Sequence, residues 1–498
     1  MSLTETIKRK PSVGWWIFAA VMVIVFVLGL LAASITQRRA ETANLFNNKR
    51  VDITGIESRN ELWGENYPRE YTTWKKTADT DFRSKHLGNV SDDMLAAHPK
   101  MVVLWAGYAF SKAYSSPRGH MHAIEDMRAS LRTGTPDSVT KDMQPGTCWT
   151  CKSPDVPRVM HEIGIEAFYK TPWSKLGNQI VNPIGCADCH DPKTMNLTIT
   201  RPALIEAFKA TGRDIANATP QEMRSLVCAQ CHVEYYFKGD GKYLTFPWSG
   251  TKDSLTVEAF ERYYDNAKFA DFINPISKTP IIKAQHPDYE LFLMGPHGQH
   301  NVSCADCHMP YKVEGGIKYS DHQITSPLQN IAGSCQTCHR ESEDQLRNYV
   351  YQYQDKALEV RDRVETELAK AHIMAKAAWD NGATETEMAP VLQLIRHAQW
   401  RWDFAVASHG ASFHAPAEVL RILSHSLDLS YQAQIAVQKV LYAHNVKGDV
   451  PMPDLSTKEK AEAYLGQDIK TLDNKKAQWL ETVVPKWIQA AKANKRLL

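Results

Sequence analysis

All ten cysteines of this 498-residue chain fall into five Cys-x-x-Cys pairs, and none is left over. The five pairs are Cys148/Cys151, Cys186/Cys189, Cys228/Cys231, Cys304/Cys307 and Cys335/Cys338. Zinc sites and redox dithiols also use Cys-x-x-Cys. A redox dithiol would occur once, however, and zinc would need sets of four ligands, into which ten cysteines do not divide evenly. The pattern therefore favours a chain that binds the same group through cysteine at five places.

Four of the five pairs continue directly into histidine. These histidines are His190, His232, His308 and His339. Cys-x-x-Cys-His is the attachment motif of c-type haem, because two thiols on one helical turn can bond the two vinyl groups of a porphyrin and the next residue can ligate its iron. If these four haems are of the bis-histidine type, four further histidines must supply the sixth ligands, and the chain has 19 histidines in all.

The first pair departs from this pattern, because Lys152 follows Cys151. An ammonium has no lone pair, so Lys152 can ligate iron only as a neutral amine. We predict that it does so and that the opposite face of this haem is open for a substrate. The alternative is a lost motif, with Lys152 in solvent and the two cysteines, Cys148 and Cys151, joined in a disulfide.

The sequence of residues 1–40 predicts that the rest of the chain is exported. Basic residues at positions 8–10 precede an apolar stretch over 13–35, which has small residues near its end, at 32–34, and is followed by two arginines at 38 and 39. This order is that of a signal peptide, and the stretch is also long enough to span a bilayer. It is therefore either removed or kept as a membrane anchor, with the rest of the chain in the periplasm. A buried core helix is the remaining alternative, against which the lack of any polar face over 15–31 argues.

Two parts of the exported chain differ in composition. Residues 41–340 hold all the cysteine pairs at uneven intervals, which argues against a solenoid or propeller repeat. The predicted pentahaem catalytic region is therefore 41–340, whereas residues 341–498 lack cysteine, are rich in helix formers and form the predicted C-terminal helical region. The predicted helices cover 341–380, 386–408, 416–445 and 457–495. Their apolar periodicity fits an intramolecular bundle and a dimer interface equally well.

The predicted fold class is mainly α: a multihaem cytochrome c fold in which haems form much of the core. Residues 41–498 are expected to form one continuous catalytic domain, with the long C-terminal helices outside the haem core. The 58 Lys and Arg residues nearly cancel the 56 Asp and Glu residues, which leaves a formal charge of +2. No nucleic-acid partner is therefore expected.

The Cys-Trp-x-Cys-Lys motif ahead of four Cys-x-x-Cys-His motifs resembles the pentahaem cytochrome c nitrite reductase family, over residues 60–440. Members of this family reduce nitrite to ammonia at the Lys-ligated haem, which bis-histidine haems supply with electrons. The resemblance implies five covalently bound haems c, calcium and a homodimer joined through the C-terminal helices. It also implies a membrane-bound multihaem quinol-oxidising cytochrome as electron donor. A non-catalytic multihaem electron carrier and a related enzyme acting on hydroxylamine or sulfite remain alternatives.

The resemblance also assigns roles to residues outside the cysteine motifs. The implied catalytic residues are Arg132 in a Leu-Arg-Thr-Gly segment, Tyr235 in Glu-Tyr-Tyr-Phe and His286 at the end of Lys-Ala-Gln-His. The implied calcium ligands, partly through backbone carbonyls, are Glu234, Tyr235, Lys283 and Gln285. The implied sixth haem ligands are His322 for the second haem, His120 for the third, His414 for the fourth and His297 for the fifth, with His409 competing for the fourth.

The three implied catalytic residues suit the reduction of a small anion. Arg132 has a permanent charge and a fork of donors for nitrite. His286 can deliver protons through its imidazole, and Tyr235 can donate a hydrogen bond. Without the resemblance, each residue fits an ordinary structural role, as a solvated arginine, a core aromatic or a buried histidine.

Overall fold

The computed structural model describes residues 7–46, 49–136, 144–248 and 255–497. It is mainly helical, which confirms the predicted fold class. Within these ranges, β structure is limited to isolated bridges and three two-stranded antiparallel sheets. The strands are β1 Tyr236–Lys238, β2 Tyr243–Thr245, β3 Phe272–Ile273, β4 Pro280–Ile281, β5 Tyr311–Glu314 and β6 Ile317–Ser320.

The helices before residue 341 are short, apart from the first. They are α1 Pro11–Phe46, α2 Asn60–Asn66, α3 Pro68–Lys75, α4 Met94–Ala97, α5 Met101–Leu104, α6 Ala123–Ala129, α7 Asp155–Ile163, α8 Ile165–Lys170, α9 Cys186–Cys189, α10 Pro202–Ala210, α11 Pro220–Ala229, α12 Val257–Asn266, α13 Asp288–Met294, α14 Pro296–Gln299, α15 Cys304–His308 and α16 Ile331–Ser334. Three 3-10 turns carry predicted site residues, and they are His120–His122, Leu131–Thr133 and Gly146–Trp149.

The C-terminal region consists of longer helices. They are α17 Glu343–Asp380, α18 Glu385–Ala407, α19 Ala411–His414, α20 Pro416–Ala443, α21 Lys458–Tyr464 and α22 Ile469–Ala493. Helices α17, α18 and α20 pack against one another, and the predictions for these three are confirmed to within two residues. The prediction of one helical run over 457–495 is wrong. Gly466 adopts a positive φ of 66°, and the Asp468 side chain then accepts a hydrogen bond from the Thr471 backbone and caps α22, so the run is split in two.

The core anchors the first cysteine motif through the residue between its cysteines. Trp149 is completely buried, and its indole Nε1 donates to the carbonyl oxygen of Trp173 at 2.8 Å. Both tryptophans belong to one large apolar cluster, to which the second half of α18 and the whole of α5 also contribute. Burial of such large aromatic side chains fixes the 3-10 turn that carries Cys148.

Helix α1 does not belong to this core. Within its span Pro11–Arg39, the most apolar 18-residue window has a mean hydropathy of 2.8, and none of that window is buried. About 20 apolar residues are enough to cross a bilayer. The alternative of a buried core helix is therefore wrong, and α1 fits a signal peptide or a membrane anchor.

Candidate haem sites and active site

None of the ten cysteines, all of which lie in the described ranges, forms a disulfide. The alternative of a disulfide between Cys148 and Cys151 is therefore not what this structure shows. The pairs lie in short helices or turns, of which α9 and α15 are two. This geometry puts the two thiols of a pair on one helical turn, as attachment of one porphyrin requires.

Cys338 differs from the other cysteines in its exposure. It is exposed to solvent, whereas the other nine cysteines are half-buried. The reason is the position of the fifth pair, which lies in a turn between the short helix α16 and the start of α17. The side chain of His339, the next residue, is itself 47% exposed. The fifth motif therefore lies at the surface of the molecule.

The cysteine pairs follow one another in space in an order that differs from their order along the chain. The thiols of Cys151 and Cys231 are close neighbours, and their interaction lowers the pKa of Cys151 and raises that of Cys231. The thiols of Cys228 and Cys304 affect each other's pKa in the same way, so the third pair lies beside both the first and the fourth. The second pair lies beside the third, and the fourth beside the fifth, because the charges of their thiols act on one another. Groups bound at these pairs would form one continuous series, with the third next to the first.

Each histidine that follows a cysteine pair faces one of the histidines that the resemblance implies as a sixth ligand. The ring-centre distances are 6.2 Å for His190 and His322, 6.4 Å for His232 and His120, 6.3 Å for His308 and His414, and 6.2 Å for His339 and His297. Two imidazoles that bind one metal ion from opposite sides at about 2 Å each have ring centres roughly 6 Å apart. The spacing of all four pairs fits one iron atom between the rings.

The second ring nitrogen of several of these histidines is already engaged. Nδ1 of His190, His308 and His322 lies 2.8 Å from a backbone carbonyl oxygen in each case. Such a bond keeps the proton on Nδ1 and leaves Nε2 for a metal. In His414, Nδ1 is buried without a hydrogen-bond partner among the described residues.

The two candidates for the sixth ligand at the fourth motif, His409 and His414, have different contacts. His409 stacks on Tyr114, with ring centres 6.0 Å apart, and its Nε2 lies 3.4 Å from the tyrosine hydroxyl. Only His414 faces His308. The geometry therefore favours His414 as the partner at the fourth motif.

The motif that ends in Lys152 differs from the other four. Lys152 is half-buried, and within the described ranges its ammonium forms no hydrogen bond or ion pair. Its backbone N–H donates to the Trp149 carbonyl oxygen at 2.9 Å. A half-buried lysine without a described partner is compatible with an amine that ligates a metal.

Two of the predicted catalytic residues lie next to this motif. Burial, and after it the charges of both thiols of the motif, raise the pKa of Tyr235 well above its ordinary value. The interaction with Cys231, and after it the charges of Lys152, Arg201 and His286, lower the pKa of Cys151 to about 7 against the effect of burial. Tyr235, His286 and Lys152 therefore surround the first cysteine pair.

Arg132, the third predicted catalytic residue, is half-buried in its 3-10 turn. Ser130 caps this turn and accepts hydrogen bonds from the backbone N–H of Arg132 at 3.2 Å and from its Nε at 3.1 Å. The guanidinium lies 4.5 Å from the ring centre of Phe110, and its charge and that of Cys148 act on the same phenol, Tyr108. Arg132 has no ion-pair partner in the part of the chain that the structure describes, so its donors are available to an anion.

Lys476 of α22 holds the Arg132 turn from the C-terminal side. Its side chain is only 3% exposed, and its Nζ donates to Thr133 Oγ1 at 3.0 Å and to the Gly134 carbonyl oxygen at 2.6 Å. The ring of Trp479 lies 4.6 Å from the same nitrogen. Burial lowers the pKa of Lys476 to about 8. Sequence reasoning missed this residue, because nothing in its local pattern points to a turn more than 300 positions away.

We expect Lys476→Met to change how the stability of the protein depends on pH. Between pH 8 and 10.5 the unfolded chain keeps a proton on Lys476 that the folded chain has lost, so this residue makes folding more favourable as pH rises. The difference in urea midpoint between wild type and variant should therefore move in favour of the wild type from pH 7 to pH 10. Lys475→Met, in the exposed neighbour, is the control. A difference that is the same at every pH would contradict the burial of this amine.

A buried acidic region lies behind Tyr235 and His286. The completely buried carboxylate of Glu234 accepts hydrogen bonds from the Tyr264 hydroxyl at 3.0 Å and from the Gln285 backbone N–H at 2.7 Å. Burial, with a contribution from the charge of Glu290, raises the pKa of Glu234 well above its ordinary value. Glu234 has no ion-pair partner among the residues with described positions.

This region holds more carboxylates than cationic side chains. Burial raises the pKa of Glu290 to about 8 and that of Asp271 to about 7. The buried ammonium of Lys283 forms an ion pair with Asp403, whose Oδ1 lies 2.7 Å away. The region is therefore short of positive charge. The Lys283 carbonyl oxygen, an implied calcium ligand, accepts a hydrogen bond from Gln285 Nε2 at 3.0 Å.

Asp288 joins His286 to His232, and sequence analysis did not single it out. Its Oδ2 lies 2.9 Å from His286 Nε2 and 3.2 Å from His232 Nδ1, and the Ser408 hydroxyl donates to its Oδ1. Burial by itself would raise the pKa of Asp288, but the two histidines lower it well below the ordinary value. The His-Pro-Asp sequence was a visible signal, although it does not reveal the partner at His232.

A helical chain with repeated Cys-x-x-Cys-His motifs, each with a second imidazole facing its histidine, defines a c-type cytochrome. The chain belongs to the cytochrome c552 family, whose family model matches residues 59–495. This match extends further towards the C-terminus than the resemblance over 60–440. Haem c and electron transfer follow from membership of this family.

Relatives from several bacteria match over nearly the whole chain. Cytochrome c-552 of Bacteroides thetaiotaomicron is 63% identical over 490 residues, which cover 98% of this chain and 99% of that protein. Cytochrome c-552 of Aliarcobacter butzleri is 45% identical and covers 95% of this chain and 94% of its own. A solved structure, the catalytic subunit of cytochrome c nitrite reductase from Desulfovibrio desulfuricans with its two calcium sites, is similar with a TM-score of 0.74. It is 30% identical and covers 85% of this chain and 91% of that one.

Proposed function

We propose that this protein reduces nitrite to ammonia, in a six-electron reaction, at a haem bound by Cys148 and Cys151 and ligated by Lys152. One observation carries the proposal. Four cysteine motifs have two facing imidazoles, whereas the described surroundings of the Lys152 motif hold the predicted catalytic residues. This asymmetry is what one open site and four closed electron-carrying sites require. The similarity to a nitrite reductase supports the substrate.

The four facing imidazole pairs are the proposed axial ligands of four further haems, which brings the total to five. When bound, the haems supply the electrons and an iron atom that holds the substrate nitrogen. The chain itself sets the route between them, since the third cysteine pair is the one that lies beside the first. The chain also provides the groups that bind the anion and supply protons.

Binding of the anion and supply of protons are the roles proposed for Arg132, Tyr235 and His286. Nitrite is an anion that must leave water, and the guanidinium of Arg132, which has no ion-pair partner among the described residues, binds and orients it. Tyr235 keeps its proton, since burial raises its pKa, and donates a hydrogen bond to the bound anion. His286 is held through Nε2 by Asp288, which leaves Nδ1 to hold and pass the protons that cleavage of each nitrogen–oxygen bond consumes.

We also propose a calcium ion in the acidic region behind Tyr235. Its ligands would be the Glu234 carboxylate, the Gln285 side-chain oxygen and the carbonyl oxygens of Tyr235 and Lys283. Calcium takes six to eight hard oxygen ligands, and the region has several buried carboxylates and one ammonium that is already paired. An ion there would hold Tyr235 and the neighbour of His286 in place. Binding of the ion would break the hydrogen bond from Gln285 Nε2 to the Lys283 carbonyl oxygen and replace it with contacts from both residues to the ion.

Glu234→Gln is expected to remove most of the stabilisation that calcium provides. An ion that binds only the folded state at a concentration of 100 Kd stabilises by about 2.7 kcal/mol. Calcium added back after chelation should therefore raise the Tm of the wild type, measured by calorimetry, and hardly change that of the variant. Glu206→Gln, in an exposed carboxylate that accepts from Tyr243 at 2.7 Å, is the matched control. Equal responses of wild type and Glu234→Gln would exclude this site.

We propose a homodimer that forms through α17 and α20. Both helices expose large apolar or aromatic side chains, and these are Tyr349, Tyr353, Tyr431, Ile435 and Tyr442, at 40–59% exposure. Such a face on helices that already pack against each other fits a second copy of the chain. The apolar core includes residues from both 41–340 and 341–498, which supports one continuous catalytic domain.

We propose that the protein works in the periplasm, either anchored through α1 or released after cleavage. Helix α1 has the length and composition of a membrane span and begins after a basic segment, which places its N-terminus inside. A membrane-bound multihaem quinol-oxidising cytochrome is the proposed electron donor.

A haem count combined with a nitrite assay tests the proposed function. An alkaline pyridine spectrum should give five haems per chain, and reduced viologen should drive conversion of nitrite to ammonia. A non-catalytic carrier would show no high-spin ferric EPR signal and no turnover. An enzyme for hydroxylamine or sulfite would consume that substrate and leave nitrite untouched. Four haems per chain, or no ammonia from nitrite, would contradict the proposal.

A further inference from the structure

We propose that Asp288 is a positioning residue that links electron delivery to proton delivery. Its carboxylate holds the imidazole of His232, next to the third cysteine pair, and the imidazole of His286, next to the open site. The inference rests on the proposed function, because it takes His232 as an iron ligand and His286 as a proton donor. It adds a residue that touches neither iron nor nitrite and acts through both histidines.

One oxygen atom makes both contacts. Oδ2 of Asp288 lies 2.9 Å from His286 Nε2 and 3.2 Å from His232 Nδ1, and the two ring centres are 4.4 Å apart. The carboxylate is held on its other side, where the Ser408 hydroxyl donates to Oδ1. The Asp288 backbone N–H donates to the His286 carbonyl oxygen at 2.7 Å at the start of α13. Both carboxylate oxygens of Asp288 and its backbone N–H are therefore held by hydrogen bonds.

His232 differs in this respect from the other histidines that follow a cysteine pair. Nδ1 of His190 and His308 is paired with a neutral backbone carbonyl. His339 Nδ1 lies 4.0 Å from a carboxylate oxygen of Glu341, which is beyond hydrogen-bond distance. Within the described ranges, His232 alone among the four has a carboxylate at hydrogen-bond distance. A carboxylate is a stronger acceptor than a carbonyl and makes the imidazole a more basic ligand, which favours oxidised iron.

The position of His232 explains how the contacts of Asp288 can affect the open site. The third cysteine pair lies beside the first, because Cys231 and Cys151 interact, so a haem held at the third motif would be the neighbour of the open site. If His232 held its iron, a change in the charge of that iron would alter how strongly His232 donates to Asp288 Oδ2. Since His286 Nε2 contacts the same oxygen at 2.9 Å, the change would reach the proposed proton donor through one shared atom.

Asp288→Asn tests this bridge, because it keeps the shape of the side chain and removes its charge. We expect the midpoint potential of one low-spin haem to rise and its low-spin EPR signal to shift, while the remaining haems stay as in wild type. The kcat for nitrite should fall by about 10- to 100-fold. KM should change little, since Arg132 keeps its own hydrogen bonds to Ser130.

Two further variants make the result decisive. Ser408→Ala keeps the carboxylate and removes one donor to it, so the same potential should move downwards. Asp321→Asn is the matched control, because Asp321 precedes His322 but pairs with Lys312 at 2.5 Å rather than with an imidazole. It should leave the haem at the third motif unchanged.

Haem content and nitrite turnover of the wild type are measured first. A wild type without a haem at the third motif, or without nitrite reduction, would overturn the proposed function. If the wild type has both and neither Asp288→Asn nor Ser408→Ala moves any potential, this inference alone is overturned. It is also overturned if Asp321→Asn produces the same shift as Asp288→Asn.

Discussion

Arg132→Ala should lower kcat/KM for nitrite by about 10²- to 10³-fold, the usual cost of removing one preorganised donor to a developing or bound anion. The guanidinium is half-buried, lacks an ion-pair partner in the described part of the chain and is oriented by Ser130 at 3.1 Å. The variant therefore loses the group that brings the anion to the open face. Haem content should stay at the wild-type value, because Arg132 contacts none of the proposed haem ligands. Steady-state assays with reduced viologen, next to a pyridine haem count, measure both quantities.

Arg132→Lys separates charge from geometry. Lysine keeps the positive charge but not the planar fork of donors, so its activity should fall between those of wild type and Arg132→Ala. Arg213→Ala, which removes an exposed arginine paired with Glu222, controls for the loss of a cation elsewhere and should be close to wild type. Full nitrite turnover by Arg132→Ala would exclude the proposed role.

The local features of this chain were predictable, because neighbours in sequence create them. The cysteine pairs and their following residues occupy one helical turn each, and the stop at Asn381-Gly382 ends α17 where periodicity predicts. The split of 457–495 into α21 and α22 was not predicted. It depends on one glycine with positive φ and one capping aspartate, and a periodicity search over a long window averages over both.

Contacts between distant segments were not predictable from spacing. His120 and His322 precede or follow their facing histidines by more than 100 positions, so only the family resemblance paired them before the structure did. Nothing singled out Lys476, because the turn that it holds lies at the other end of the chain. The spatial order of the cysteine pairs, with the third beside the first, likewise depends on how the loops pack around the large apolar core. The same packing leaves Cys338 exposed, which its motif, identical in form to the other three, does not reveal.

Lys152→His should keep all five haems and still impair nitrite reduction. The two thiols form the covalent bonds, and histidine at 152 recreates Cys-x-x-Cys-His, so attachment does not require lysine. The axial ligand, however, sets the electronic properties of the iron. Changing it should cost at least as much as changing a residue that only supports a ligand, about 10- to 100-fold in activity. Turnover, haem count and the high-spin EPR signal of the purified variant give the three readouts.

Lysine at 152 also has a steric reason. Its long, flexible stem would bring the amine to an iron while the backbone stays in the turn that buried Trp149 fixes, whereas a shorter, rigid imidazole would reach the same point only if that turn moved. A shift of this turn would displace the open face relative to Arg132 and Tyr235, so the loss should appear in kcat even with every haem in place. Lys175→His, at an exposed position near the same core, controls for the substitution itself. A Lys152→His variant with the wild-type rate would show that the amine is not what makes this haem reactive. A variant with four haems would show that Lys152 is needed for attachment rather than for chemistry.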